Sequence, residues 1–396
     1  MSKKRVAVLG ATGSIGASTL DVIRACPDFF EPVLFTARRN TEKLFPLTAE
    51  FTNAAIALSD DAANYSLPTT HYSLPTTHYP LYKDVLQALE ETAPDIVVNG
   101  ISGSAGLLPS LKAAESGATL ALANKESVVM AWDLLSETAA RSGGRIVPVD
   151  SECSAIFHLV ERHGLRNTES IILTASGGPF RTASMEELAA VTIEKALAHP
   201  TWKMGPKITL DSASLANKGL EVIQISKIIG LAASKIDVSV HPQSIVHSMI
   251  AVKDGAIYAA LSAPDMRVPI HQALHYPAVV PSPWGKMNFD MRGAPALTLS
   301  FEKPDMDKFP MLALAYQAAK AGGFYPLAYN AANEIAGALF LRGGASFLDI
   351  PKIAARVLEK DWSAPQGMDK NIDAIMNADA GARSAAQIAA QVSSAH

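Results

Sequence analysis

Asp150 and Glu152 stand two residues apart in Val149-Asp150-Ser151-Glu152-Cys153, just after an apolar run. On an extended chain such residues point to one side, so the two carboxylates can converge. Converging carboxylates repel unless a cation or a proton joins them. Hard oxygen donors suit Mg²⁺ or Mn²⁺ better than zinc. The same run also reads as a helix start capped by Ser151, and spacing alone does not choose. Farther on, Leu210-Asp211-Ser212-Ala-Ser-Leu-Ala-Asn217-Lys218-Gly-Leu-Glu221 places Ser, Asn and Lys where they can gather phosphate oxygens. Glu221 falls three and four residues after Lys218 and Asn217, on the same helical face. Ser176-Gly177-Gly178-Pro179-Phe180 adds a turn whose N–H groups and hydroxyl can hold an anion.

A second chemistry sits at the other end of the chain. Val6–Leu9 leads into Gly10-Ala-Thr-Gly13-Ser-Ile-Gly16 and then a helical pattern. Strand, glycine turn and helix N-terminus form a cradle for a dinucleotide pyrophosphate. A cofactor without a 2′-phosphate asks for an acidic residue after the second strand. This chain has Ala37-Arg38-Arg39-Asn40 there, and guanidiniums suit a 2′-phosphate, which favours NADP(H). Another expected strand, Thr119–Ala123, ends in Asn124-Lys125-Glu126-Ser127, where ligands sit in open parallel sheets. Asn124 there can touch the nicotinamide side and Lys125 a substrate hydroxyl or carbonyl; a plain helix cap reads equally well.

These residues need elements to carry them. In the first half, short apolar runs alternate with amphipathic segments. Val6–Leu9, Pro32–Thr36, Ala54–Leu58, Ile96–Asn99, Thr119–Ala123 and Arg145–Val149 are expected strands. Ser14–Ala25, Thr41–Thr52, Tyr82–Glu91, Leu107–Ser116 and Val128–Arg141 are expected helices. That rhythm means βαβ units and a parallel sheet covered on both faces. After Asp150 the pattern becomes α+β, with strands expected at Ser170–Thr174, Ile208–Leu210, Ile236–Val240 and Ile257–Leu261. Helices are expected near Ala155–His163 and Gly219–Ile229. The Pro-rich 277–310 stretch reads as a surface linker. The Ala-rich remainder (Met311–Ala321, Ala328–Leu341, Ile350–Lys360, Ala382–Ala390) reads as a small helical bundle.

Composition narrows the classes. Of 396 residues, 48% are apolar and 18% charged, enough apolar matter for a sizeable core. The net charge of −4 gives no global attraction for nucleic acid or anionic lipid. Two cysteines, Cys26 and Cys153, exclude a disulfide framework or a Cys-rich zinc site and fit a reducing compartment. No apolar run reaches the length of a transmembrane helix. Lys3-Lys4-Arg5 before Val6–Leu9 is too short a pattern for a signal peptide. The tandem copies Tyr65–His71 and Tyr72–His78 are too few for a solenoid and read as a lengthened surface loop rather than a histidine metal site.

Together the motifs resemble the 1-deoxy-D-xylulose 5-phosphate reductoisomerase family. The matching segments, in order, are Gly10–Gly16, Ala121–Ser127, Pro148–Glu152, Ala175–Phe180, His199–Trp202 with Met204-Gly205, Asp211–Glu221, His241–Ser244 and Asn330–Glu334. The duplication departs from the family pattern and lies away from every motif. The resemblance implies that Asp150, Glu152 and Glu221 ligate Mg²⁺ or Mn²⁺. It implies that Ser176, Ser212, Asn217 and Lys218 hold the substrate phosphate, while Lys125, Ser151, Glu152, His199 and Glu221 meet its carbon chain. Thr12, Gly13, Ser14, Ile15, Arg38, Arg39, Asn40, Asn124, Glu126 and Gly205 would line the NADPH site, and Lys125, Asp150, Glu152, His199 and Glu221 would act in catalysis. The expected fold is α/β: a Rossmann-like parallel sheet (1–149), a catalytic α+β domain (150–276), a linker (277–310) and a C-terminal helical bundle (311–396). Trp202 and Met204 are unusually apolar for a loop, so the segment 177–206 reads either as a lid ordering over substrate and nicotinamide or as a loop packed on the core. The implied reaction rearranges a hydroxy-ketone phosphate by retro-aldol cleavage and re-addition to a branched aldehyde, which NADPH reduces. This is an early step of non-mevalonate isoprenoid synthesis. A cytoplasmic homodimer is expected, with no nucleic-acid or membrane partner and no plastid leader.

Two rivals stand beside this reading. An NADP-dependent semialdehyde dehydrogenase also opens with Gly-Ala-Thr-Gly but needs a cysteine nucleophile, for which only Cys153 is placed. A non-catalytic NADP(H) sensor would need no carboxylate cluster.

Overall fold

A computed structural model describes residues 2–59, 81–284 and 298–393. The duplicated segment and the middle of the expected linker lie outside the described residues. The chain packs as two compact units, residues 1–124, 135–150 and 266–283 in the first, and 125–134, 151–265 and 284–396 in the second.

The first unit is built on a seven-stranded sheet in the order β4-β3-β2-β1-β5-β6-β7. Its strands are β1 (Lys4–Leu9), β2 (Phe30–Ala37), β3 (Ala55–Leu58), β4 (Leu81–Tyr82), β5 (Ile96–Asn99), β6 (Thr119–Leu122) and β7 (Arg145–Pro148). Every pairing is parallel. Val6, Val8, Leu34, Ile56, Val97 and Leu120 are fully buried, so the strands read as unbroken apolar runs, not alternating ones. Between them run α1 (Ser14–Ala25), α2 (Thr41–Glu50), α3 (Val85–Thr92) and α4 (Leu107–Glu115). Helix α5 (Lys125–Ser142) breaks at Ala131, with φ −149° and ψ 35°. A late helix, Arg267–His275 (α11 in chain order), joins this unit and packs on α1. Strand order reverses between β1 and β5, so the loops after them part and leave a crevice at the carboxyl ends of the strands.

The second unit has a four-stranded sheet in the order β11-β10-β8-β9. It uses β8 (Thr168–Ala175), β9 (Ile236–Val240), β10 (Val246–Val252) and β11 (Ile257–Leu261), with β8 and β9 parallel and β10 antiparallel to both its neighbours. Helices α6 (Ser151–His163), α7 (Met185–Ala189), α8 (Ile193–Ala196), α9 (Pro206–Ala213) and α10 (Ala216–Ile229) follow its connections. The C-terminal helices are α12 (Pro310–Ala321), α13 (Tyr325–Leu341), α14 (Asp349–Leu358) and α15 (Ile372–Ser393).

Most expected elements recur with shifted ends. Strand β4, which overlaps the start of the expected Tyr82–Glu91 helix, and helices α7, α8 and α11 have no expected counterpart, and α15 begins at Ile372 rather than Ala382. Ile208–Leu210, expected as a strand, is the middle of α9. Gly205 at the N-cap and Pro206 at the first helical position start a helix there, and three apolar residues carry no period that distinguishes the two. Strand β10, an inner strand of its sheet, was not anticipated. It buries His247 and Ser248 among apolar residues, which breaks the pattern a strand search follows.

Candidate active site

In the first unit, β1 delivers Gly10 to the crevice with φ +74°, a conformation suited to glycine. A Cβ on Gly10 would stand 3.0 Å from the Gly100 carbonyl oxygen, and one on Gly16 only 2.4 Å from that of Ala11. The turn is pinned to the neighbouring strand: Ala11 N–H donates to the Thr36 carbonyl (2.8 Å) and Gly10 N–H to the Thr36 hydroxyl (3.1 Å). Gly13 caps α1 without a side-chain bond, and a helix start leaves its first N–H groups without partners inside the helix. Thr12 and Ile15 are half-buried, and Gly13 and Ser14 exposed. Arg38, Arg39 and Asn40 are exposed at the end of β2, one strand away. Asn40 also caps α2, its side chain accepting from Lys43 N–H at 3.1 Å. Asn124 is buried and donates both amide hydrogens to the Ile101 and Gly103 carbonyls, at 2.7 and 2.8 Å, holding the loop after β5.

In the second unit, the face of α10 expected from sequence forms a charge cluster. Lys125 Nζ is 2.6 Å from Asn217 Oδ1 and 3.0 Å from Glu221 Oε1. Lys218 Nζ contacts Glu221 Oε2 and lies 3.4 Å from Glu152 Oε1. The side chains are 5% (Lys125 and Lys218), 1% (Glu221) and 17% (Glu152) exposed, so these charges are largely dry. A buried carboxylate needs a cation beside it, and here two ammoniums flank one carboxylate. Glu152 and Glu221 offer hard oxygens to a divalent cation, and Ser151 donates to Glu152. Asp150, two residues before Glu152, follows β7 as the last residue of its stretch of the first unit. Leu215, at φ 59° and buried, turns the chain between α9 and α10 at some cost in strain. Behind α10, the buried Tyr329 donates to the Met311 carbonyl at 3.1 Å.

Ser176 just after β8, His199 from the 177–206 segment and Ser212 from α9 also meet. His199 Nε2 lies 3.1 Å from both hydroxyls. Its Nδ1 accepts from Thr201 and Trp202 N–H at 3.1 and 2.9 Å, so Nε2 carries the hydrogen. Burial pushes the imidazole below its usual range, leaving it neutral near pH 7. The 177–206 segment contains α7 and α8 and buries Phe180, Leu188 and Ala196. Trp202 is half-buried, 6.4 Å from His247 between ring centroids, and Gly205 is exposed.

One network escaped sequence reasoning. Lys207 Nζ sits 2.7 Å from both Glu126 and Asp211, and Asn333 donates to the other Asp211 oxygen at 2.9 Å. Burial would lower Lys207, but the flanking Asp211 and Glu126 carboxylates outweigh it and hold the ammonium charged. Burial likewise opposes the Glu126 carboxylate, and Lys207 holds its pKa below the usual range. Glu126, expected at the cofactor, spends its carboxylate on Lys207 here. The only sequence signal was the i, i+4 spacing of Lys207 and Asp211.

The family model for 1-deoxy-D-xylulose 5-phosphate reductoisomerase matches residues 6–132, and two models for its C-terminal domains match residues 146–229 and 261–385. A 1-deoxy-D-xylulose 5-phosphate reductoisomerase of Treponema denticola is 46% identical over 92% of this chain and 92% of its own. The solved structure of that enzyme from Zymomonas mobilis, in complex with NADPH, superposes with a TM-score of 0.85 at 38% identity, covering 98% of this chain and 99% of the other. A DOX-P reductoisomerase in complex with NADPH, fosmidomycin and magnesium gives a TM-score of 0.87 at 35% identity over 98% of each chain. This chain belongs to the 1-deoxy-D-xylulose 5-phosphate reductoisomerase family.

Proposed function

We propose that this chain converts 1-deoxy-D-xylulose 5-phosphate to 2-C-methyl-D-erythritol 4-phosphate, with NADPH as reductant and Mg²⁺ or Mn²⁺ as the metal. The observation that carries the reading is the buried Lys125–Glu221–Lys218–Glu152 cluster, with the Ser176–His199–Ser212 group in the same unit. A redox enzyme without an acid–base or metal step has no use for such charges away from water. A buried thiol inside α6 argues against the semialdehyde dehydrogenase, since Cys153 is 0% exposed.

The residues fit both groups the reaction needs. The glycine turn, with Gly16 where a Cβ would collide, leaves room for a pyrophosphate on Thr12, Gly13, Ser14 and Ile15. Arg39, with Arg38 and Asn40, would take the 2′-phosphate. Glu152 and Glu221, together with Asp150, supply oxygen donors where charge already calls for cations. When bound, the metal supplies Lewis-acid polarisation of the substrate oxygens and NADPH supplies the hydride.

The chain's own groups then divide the work. Ser176, His199 and Ser212 converge on one point, where the Nε2 hydrogen and two hydroxyls suit phosphate oxygens. Asn217 and Lys218 add to that grip. Bound phosphate lends remote binding energy that orients the reacting carbons. Lys125, held by Asn217 and Glu221, presents an ammonium hydrogen to a substrate hydroxyl or carbonyl. Ser151, through its bond to Glu152, orients that carboxylate. The 177–206 segment acts as a lid that excludes water. The division into nucleotide-binding (1–149), catalytic (150–276) and helical (311–396) parts follows these roles. No helix among the described residues is long and apolar enough to cross a membrane. We read the enzyme as a cytoplasmic homodimer, checked by sedimentation.

The test is direct. Purified protein, NADPH, Mg²⁺ and 1-deoxy-D-xylulose 5-phosphate should consume NADPH, and chelator should stop it. Asp150→Asn, Glu152→Gln and Glu221→Gln should lose turnover by orders of magnitude yet bind NADPH. Full activity in chelator refutes the metal-dependent reading, and loss of activity in Cys153→Ala would revive the dehydrogenase.

A further inference from the structure

Three metal-ligating side chains meet inside the first unit, at residues the proposed reaction does not use. Cys26 follows the last residue of α1, and His271 and His275 stand four apart on one face of α11, which packs against α1. One ligand atom from each lies within 4.8 Å of the other two. We propose that Cys26, His271 and His275 form a second metal site, taking Zn²⁺ or another borderline-soft divalent ion and tying α1 to α11.

The geometry of His275 carries this furthest. Its Nδ1 lies 3.0 Å from the His271 carbonyl oxygen, which can only accept, so Nδ1 carries the hydrogen and Nε2 keeps its lone pair. That is how a metal-binding histidine is held: one ring nitrogen donates to a carbonyl and the other faces the ion. His275 Nε2 is buried and has no hydrogen-bond partner among the described residues. The rings of Phe29 and Phe30 stand edge-on to His275, at 5.1 and 4.8 Å between centroids, and fix its plane. The His271 and His275 rings lie 4.3 Å apart, tilted by 41°. Burial first, then the neighbouring His275, push His271 down, so it is neutral, the form that ligates.

The donor set selects the ion. A thiolate and two imidazoles suit zinc, whereas Mg²⁺ and Mn²⁺ prefer oxygen. Zinc bond lengths place tetrahedral donors roughly 3.3–3.6 Å apart, so the set would draw in by about 1 Å. Water on the half-exposed side of His275 would complete four-coordination. Burial raises the Cys26 thiol, and the ion would displace its proton to solvent as the metal–sulfur bond forms, with no change of oxidation state. The alternative, histidines that merely fill the interface, leaves a buried acceptor facing a thiol and an imidazole for no return.

The experiment titrates Co²⁺ into the full-length protein with Mg²⁺ saturating the oxygen-donor carboxylates. One equivalent should raise a thiolate-to-cobalt charge-transfer band and tetrahedral d–d absorption, both displaced by Zn²⁺. Cys26→Ser should abolish the charge-transfer band, Cys153→Ser should leave it, and His275→Gln should weaken binding at least ~100-fold. Zn²⁺ should raise the melting temperature of the unmutated protein and not of His275→Gln, a half-exposed position where a misfolded variant would show in its own melting curve. Absence of the band, or a band that survives Cys26→Ser, overturns the site. NADPH turnover in Mg²⁺ is read separately and should persist in Cys26→Ser, so a failure of the proposed reaction cannot be mistaken for a failure of this site.

Discussion

Lys218→Met isolates what the buried charges do. Lys218 touches Glu221 and neighbours Glu152, in a place where its own side chain is 5% exposed and that of Glu221 is 1%. Removing one partner of a buried ion pair costs about 3–5 kcal/mol. Lys125 still holds the other Glu221 oxygen at 3.0 Å, so the loss here should be smaller. We expect about 2–3 kcal/mol, which for a unit of this size lowers the melting temperature by roughly 4–12 °C. The measurement is calorimetry in chelator, following the transition of the second unit. Adding Mg²⁺ should narrow the gap, because a cation at Glu152 and Glu221 supplies the charge the lysine no longer does. Lys218→Met/Glu221→Gln should not regain the loss, since Lys125 then has no Glu221 carboxylate and Glu152 no lysine beside it, and it should remain inactive. An unchanged melting temperature in chelator would refute the buried-pair argument. A gap that Mg²⁺ leaves untouched would separate the lysine from the cation site.

Other outcomes follow from the same geometry. NADPH should be strongly preferred over NADH, and Arg39→Ala should narrow the preference by about 10- to 100-fold, the worth of a charge-assisted phosphate contact, read from the two binding constants. Trp202→Ala should lower turnover far more than stability, and protease should cut near Trp202 only until NADPH and a phosphonate analogue are bound; equal cutting in both states would make the segment part of the core. Burial depresses His158, His199 and His271, so below their usual range the unfolded chain binds more protons than the folded one. Stability should therefore hold above about pH 6.5 and fall as the pH drops through it, seen as a lower melting temperature at about pH 5.5 than at about 7.5.

The parallel sheet was legible because strands buried on both faces write themselves as solid apolar runs, and Ser14–Ala25 was legible to the residue. Glu221 with Lys218 was legible because one helix turn spaces them. What stayed hidden depends on contacts between distant segments. Glu126, Lys207, Asp211 and Asn333 span most of the second unit and meet only in three dimensions. The bonds from the Asn124 amide to the Ile101 and Gly103 carbonyls likewise join segments more than twenty residues apart. Cys26 lies too far along the chain from His271 for any spacing rule to join them. Strand β10 failed the apolar test because His247 and Ser248 are buried polar residues whose partners come from elsewhere.

Helix α11 also governs when the first unit can finish assembling. The 266–283 segment that carries it leaves the ribosome after the whole of α6 through β11, although its partner α1 emerges near the beginning. The nascent sheet must therefore wait, with the side of α1 that α11 covers still open to solvent, while the sheet of the second unit is synthesised. Such a closure between segments remote in sequence is slow, and it exposes apolar surface for the duration. A chain truncated after β7 would carry all seven strands of the first unit's sheet and still lack the piece that seals it.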